Sequence, residues 1–164
     1  MNSTKLIGKI FAPRQREIDL YGTKAEEIQA RVFRKLIQSA SATEWGKKYD
    51  FSQIRNYTDF QRVPIQTYED VKGYVDRMRH GEKDVLWPGK VIWYAKSSGT
   101  TNDKSKFIPV SPEGLKGIHY RGGTDAVALY LRENPESRFF SGKGLILGGS
   151  HSPNYNVKDS LVGD

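Results

Sequence analysis

The chain has 164 residues, enough for a domain with a core of its own, and it carries 26 Lys and Arg against 19 Asp and Glu, a formal net charge of +7. It has no cysteine, which excludes a disulfide framework and cysteine-ligated metals and suits a reducing cytoplasm, the expected location. No apolar run approaches a membrane span, and Lys9 splits the pairs Leu6-Ile7 and Ile10-Phe11 in an N-terminus without a small-residue cleavage site.

The net charge alone would suit a nucleic-acid module, with aromatic and basic side chains on one face. Its distribution disfavours that reading. Lys47-Lys48, Arg77 with Arg79, and Lys104 with Lys106 are scattered among acids, as on ordinary solvated faces. A non-catalytic structural or interaction segment is the other alternative.

In chain order, the first periodic segment is Lys24 to Ser39. Ala25, Ile28, Val32, Phe33, Leu36 and Ile37 keep helical spacing and predict one buried stripe. Trp45-Gly46 and Val63-Pro64 read as connectors with an anchoring aromatic. Thr67 is placed to cap a second helix over Tyr68 to Arg79, with Val71, Tyr74, Val75 and Met78 on one side and Gly81 as its stop.

Two short β-branched and aromatic runs follow, Val91 to Ala95 and Phe107 to Val110. The segment between them contains Ser97-Ser98-Gly99-Thr100-Thr101 and then Asn102-Asp103-Lys104-Ser105-Lys106. Hydroxyls, a glycine turn and a terminal lysine between two strands make an anion-cradling composition, because backbone N–H groups, hydroxyls and an ammonium can converge on one polyphosphate. Ser111 and Pro112 then open a helix predicted to run to about Glu133, with Leu115, Ile118, Gly122, Ala126 and Leu129 on its packed face. Gly122-Gly123 in its middle predicts a close neighbour to that backbone, since each glycine costs roughly 1 kcal/mol against alanine. Leu145-Ile146-Leu147, flanked by glycines, reads as a fully buried strand. Strands alternating with a long helix imply a layered α/β domain after a helical N-terminal section: residues 1–85 mainly helical, then strand, loop, helix and strand over 86–164.

Other chemical motifs fail. Gly142-Lys143-Gly144 lacks the upstream glycine and the hydroxyl of a Walker loop, and Gly148-Gly149-Ser150-His151-Ser152 ends in serine where a nucleophile elbow needs glycine. His80, His119 and His151 have no metal-ligand spacing.

The pattern Ser-Ser-Gly-Thr-Thr at 97–101, with Lys106 five residues on and an apolar-apolar-Pro step at Phe107-Ile108-Pro109, resembles the first nucleotide motif of the auxin-responsive Gretchen Hagen family of acyl acid amido synthetases, members of the acyl-adenylate-forming superfamily. Further landmarks agree in order: Thr43-Glu44-Trp45-Gly46, Tyr49-Asp50-Phe51, Val63-Pro64-Ile65, Tyr68-Glu69-Asp70, Gly81-Glu82 and Trp87-Pro88. The resemblance implies part of an adenylate-forming N-terminal domain, incomplete, without the C-terminal lid and inactive by itself. It further implies ATP held by Ser97, Ser98, Gly99, Thr100 and Thr101, with Lys106 as the catalytic charge beside the leaving pyrophosphate. Mg²⁺ would have its ligands elsewhere, and His119, Tyr120 and Arg121 would contact a carboxylic acid whose acyl group passes to an amine such as an amino acid. One position departs from the family pattern: Asp103 stands where glycine is usual.

Overall fold

The computed structural model describes residues 3–97, 106–145, 147–149, 151–154 and 160–163. The architecture mixes helix and sheet in two compact units, Met1–Gln29 with Glu113–Gly148, and Ala30–Pro112 with Gly149–Asp164.

In the second unit, α2 (Ala25–Ala40) contributes its C-terminal half and α3 (Glu44–Lys48) follows at once. The stripe predicted for α2 is narrower than its spacing suggested: Ile37 and Ala40 are buried, whereas Val32 and Leu36 are half exposed. Ile37, Ala40 and Phe51 form one apolar cluster, flanked by Phe33, Trp45, Phe60 and Trp87. The pair Trp45-Gly46 is therefore helical and not a connector. Thr43 caps α3 by accepting from the Gly46 N–H at 3.0 Å, while its own hydroxyl donates to the Ala40 carbonyl at 2.7 Å. Gly46 packs so tightly that an added Cβ would lie 2.1 Å from the Ala40 carbonyl oxygen. This junction requires glycine because of space.

A short 3-10 turn (Phe51–Gln53) and α4 (Tyr57–Phe60) lead to α5 (Tyr68–Arg79), which has the predicted bounds. Thr67 and Asp70 form a capping box, with the Asp70 carboxylate accepting from the Thr67 N–H and hydroxyl, both at 2.7 Å. Those bonds hold the Asp70 carboxyl below its ordinary range. Gly81 takes φ +94°, the left-handed stop that glycine supplies freely. At the other end, Arg77 bridges Glu44 and Glu82, tying α5 to α3.

Among the described residues the sheet has four strands in the order β2-β1-β4-β3. β1 (Trp93–Lys96) pairs antiparallel with β2 (Phe107–Val110), with Lys96 opposite Phe107, and parallel with β4 (Leu161–Gly163). β3 (His151–Pro153) completes the edge against β4. Tyr94 on β1 is fully buried with Met78, Val85 and Val91, so α5 covers one face of the sheet. Burial pushes the Tyr94 phenol up to about 12, and its hydroxyl donates to the Val91 carbonyl at 3.1 Å. The third and fourth sheet positions belong to β4 and β3, not to the predicted strand at 145–147. Leu145 and Leu147 are 90% and 92% exposed and outside any strand, and Ile146 lies outside the described residues. Hydrophobic run length alone does not distinguish a buried strand from an exposed connection.

In the first unit, α1 (Ser3–Thr23) packs against α7 (Arg121–Glu133). Their join is electrostatic: Arg14 holds Asp125 through two bonds of 2.6 Å, and Gln15 donates to the Ala128 carbonyl at 2.8 Å. The Arg14 guanidinium keeps the Asp125 carboxyl below its ordinary value of 3.8. The helix predicted from Pro112 to Glu133 is present but not uniform. It begins as α6 (Pro112–Gly114), widens into a π-helical turn over Leu115–Tyr120, and continues as α7. The wider turn shifts the phase of the helix, so its buried residues are Ala128 and Leu131, while Ile118 is 77% exposed and Gly122 and Ala126 face outward. Nor does any described atom approach Gly122 or Gly123 within 4 Å of an added Cβ. The close neighbour predicted for them is absent there and present at Gly46.

Two consequences are measurable. Gly122→Ala and Gly123→Ala should each stabilise the chain by about 0.5–1 kcal/mol, whereas Gly46→Ala should destabilise it by about 1–3 kcal/mol through overpacking, as read from urea unfolding midpoints. The Asp125 pair should weaken with acid. Its carboxyl titrates lower in the folded than in the unfolded chain, so its contribution is complete above the ordinary value of 3.8 and is lost as pH falls through the depressed folded value. At neutral pH, Asp125→Asn should cost about 2 kcal/mol, the scale of hydrogen bonds to charged groups. The same substitution should flatten the acid limb of a stability-against-pH curve.

Candidate functional site

The segment with the most informative sequence hangs from the β1-β2 hairpin. Ser97 and Lys106, the residues just beyond the last strand pair, close its neck reciprocally. The Ser97 N–H donates to the Lys106 carbonyl at 2.9 Å, and the Lys106 N–H donates to the Ser97 hydroxyl oxygen at 2.9 Å. Ser98, Gly99, Thr100 and Thr101, with the rest of 98–105, lie outside the described residues.

This neck divides the work of Ser97. Its amide is committed to the hairpin and its oxygen accepts from Lys106, so only its hydroxyl proton remains to be donated to a ligand. Lys106 is held from a different side. Its ammonium lies 5.7 Å from the centre of the Tyr68 ring, and the Tyr68 hydroxyl accepts from the Phe107 N–H at 3.0 Å. Tyr68 is the first residue of α5, whose capping box fixes that end of the helix. The landmark Tyr68-Glu69-Asp70 thus has a physical meaning: Asp70 sets the helix start, and Tyr68 uses it to position the strand that begins directly after the lysine. In the sequence Tyr68 stands out only as the first residue of a capped helix and as part of a family landmark. The signal that marks it is an aromatic hydroxyl at a capped helix N-terminus facing the outward amide of an edge strand, the Phe107 N–H.

His119, Tyr120 and Arg121 belong to the first unit, at the junction of the π-helical turn with α7. All three are exposed, and the His119 and Tyr120 rings meet edge to face at 5.4 Å. Arg121 donates to Glu17 at 2.7 Å, and the same carboxylate accepts from Arg14 at 2.5 Å. Glu17 is accordingly held below its ordinary range, first by the Arg14 bond. A π-helical turn is uncommon and concentrates at functional sites. This one contains His119 and Tyr120 and ends against Arg121, a feature that periodicity did not reveal.

Among the described residues no group of three or more His, Cys, Asp or Glu could hold a metal, and no helix is long and apolar enough to cross a membrane.

The chain is thus a mixed helix and sheet protein with a Ser/Thr-rich sequence between the two strands of a closed hairpin. The sequence matches the GH3 family N-terminal domain over residues 14–159, and the chain belongs to that family. Among its relatives, the indole-3-acetic acid-amido synthetase GH3.15 of Arabidopsis thaliana is 30% identical over 95 residues, covering 57% of this chain and 16% of its own length. The jasmonoyl--L-amino acid synthetase JAR4 of Nicotiana attenuata is 28% identical over 99 residues, covering 59% and 17%. A solved GH3.15 acyl acid amido synthetase superposes with a TM-score of 0.73 at 24% identity, over 99% of this chain and 28% of that one, and so shares its fold. The chain spans about a sixth of the length of these curated relatives.

Tyr68→Phe removes the acceptor for the Phe107 N–H. It should cost about 1–3 kcal/mol, the penalty of a part-buried donor left unpaired, and should speed hydrogen exchange at the Phe107 amide while leaving exchange within the α2 and α3 cluster unchanged.

Proposed function

We propose that this chain supplies the phosphate-binding part of an ATP-dependent acyl-adenylate-forming ligase, which activates a carboxylic acid as its acyl-adenylate and transfers the acyl group to an amine such as an amino acid. The observation that carries this reading is the hairpin neck: Ser97 and Lys106 are fixed to each other where the Ser/Thr-rich segment leaves the sheet, in a chain of the GH3 family. The choice of a carboxylic acid and an amino acid acceptor is supported by the relatives, an indole-3-acetic acid-amido synthetase and a jasmonoyl--L-amino acid synthetase.

In the proposed reaction the carboxylate oxygen attacks the α-phosphorus of ATP, the bond to the bridging oxygen breaks, and pyrophosphate leaves with the electron pair. Side chains perform little covalent work in such a step, and rate comes from positioning and preorganised charge. Ser98 to Thr101 would donate backbone N–H groups and hydroxyls to the β- and γ-phosphates, with Ser97 adding its hydroxyl proton. The Lys106 ammonium would offset the charge that accumulates on pyrophosphate. Mg²⁺ would accompany the triphosphate, neutralising part of its charge. His119, Tyr120 and Arg121 are the candidates for the carboxylic acid, Arg121 through the guanidinium donors that Glu17 leaves free.

Asp103 introduces a carboxylate into a segment meant for anions. Two substitutions therefore test the proposal with opposite signs. Titrated with pyrophosphate by calorimetry, Lys106→Ala should weaken binding by about 10-fold to 100-fold, the worth of one charge-assisted contact, and Asp103→Gly should leave binding equal or tighter. Unchanged affinity in a folded Lys106→Ala chain would remove the lysine, and with it the reading.

A further inference from the structure

A second candidate site lies on the α5 side of the sheet, in a cavity of about 330 Å³ bounded by Arg79, Lys96, Phe107, Ser152, Asn154 and Val162. Every one of these residues belongs to the second unit. Hydrogen bonds cross-link the frame around it. The Asn154 side chain is buried and donates to the Arg79 carbonyl at 3.0 Å and to the Ser160 hydroxyl oxygen at 3.1 Å, and Ser160 in turn donates to the Ile92 carbonyl at 2.8 Å. These bonds fix the end of α5, and so the Arg79 backbone, to the start of β1 and to the β3-β4 pair.

The Arg79 guanidinium carbon sits 3.6 Å from the centre of the Phe107 ring, which covers one of its faces. Nη1 reaches Asp76 at 3.3 Å. Nε is shielded from solvent and has no hydrogen-bond partner among the described residues. In a planar guanidinium, Nε and Nη2 form the side-on fork that matches two oxygens of one carboxylate. The stack and the Asp76 bond use the other parts of the group and leave this fork. Lys96, directly across the β1-β2 ladder from Phe107, adds a second cation at the cavity, and no described carboxylate lines it. Phe107, Pro153 and Val162 supply apolar wall.

We infer that this cavity binds a small organic acid: a carboxylate head on the Arg79 fork, assisted by Lys96, with an apolar body against Phe107 and Val162. The volume exceeds what a bare oxyanion fills and falls at the small end of ligand pockets. The unpaired Nε is the reason for a charged head. Leaving a shielded donor unsatisfied is costly, and a carboxylate removes that cost while adding charge complementarity. The inference does not depend on the ligase reading, since neither Lys106 nor the segment it closes takes part.

Phenylacetate serves as the probe for the intact 164-residue chain, with NMR of the arginine Nε–Hε groups as readout and Arg79→Lys used to assign the Arg79 signal. Phenylacetate should move that signal saturably, the neutral phenylacetamide should not, and Lys96→Gln, a change at an exposed side chain, should weaken the response about 10-fold, as loss of one ionic contact predicts. Lys106→Ala should leave it unchanged, which separates this site from the proposed phosphate segment. No movement of the Arg79 signal at tens of millimolar phenylacetate would overturn the inference. So would an equal response to phenylacetamide or to inorganic phosphate, or an unaltered response in Lys96→Gln.

Discussion

The burial of Tyr94 between β1 and α5 is the constraint on which the second unit depends. β1 is one of the two inner strands of the described sheet, antiparallel to β2 and parallel to β4, so its register positions both of these and, through β4, also β3. Tyr94 locks that register by filling the space against Met78, Val85 and Val91, with no exposed surface. A shift of β1 by one residue would turn Tyr94 to the opposite face and bring Ala95 or Trp93 beneath the helix. Because Ser97 follows β1 directly and Lys106 precedes β2, the same packing determines where the Ser/Thr-rich segment leaves the sheet. Phe107 then links both ends of α5 to this exit, through its amide to Tyr68 and through its ring to Arg79.

Several of these features were legible in the sequence, for local reasons. α5 has a capping box at one end, a left-handed glycine beyond the other, and an apolar stripe between, and each signal acts within a few residues. The β1-β2 hairpin was legible because two short β-branched and aromatic runs flank a turn-rich stretch. In both cases local preference and tertiary packing agree, which is the condition under which sequence reading succeeds.

Elsewhere the deciding partner is remote or the period changes. Extrapolating helical spacing through 115–129 assumes 3.6 residues per turn, and the π-helical turn breaks that assumption before α7 begins. The packed face consequently moves to Ala128 and Leu131. Gly122 and Gly123 drew attention by their placement within a helix, yet they face open space, while Gly46, in a stretch taken for a connector, is pressed against the end of α2. Composition identifies a glycine that is costly but cannot identify the atom that makes it necessary. The segment at 145–147 shows the same limit: apolar content marks a strand only when a neighbouring strand is present to pair with it.

The two candidate sites of the second unit are mechanically linked through Phe107 while remaining chemically separate. Its backbone amide is held by Tyr68, whose ring lies under the Lys106 ammonium, and its side chain is the platform for Arg79. A ligand that tightens the Arg79 stack restrains the Phe107 ring, and the restraint passes to the neighbouring residue only through a strand already fixed at its amide. β2 is thus held through both the backbone and the side chain of Phe107, and the neck at Ser97 and Lys106 is closed by the chain's own hydrogen bonds. Preorganisation of that kind lowers the ordering cost of binding. It also explains why the hydroxyl oxygen of Ser97 is committed to the fold: one hydroxyl with both a structural acceptor role and a free proton fixes the exit of the segment and still presents a donor beside it.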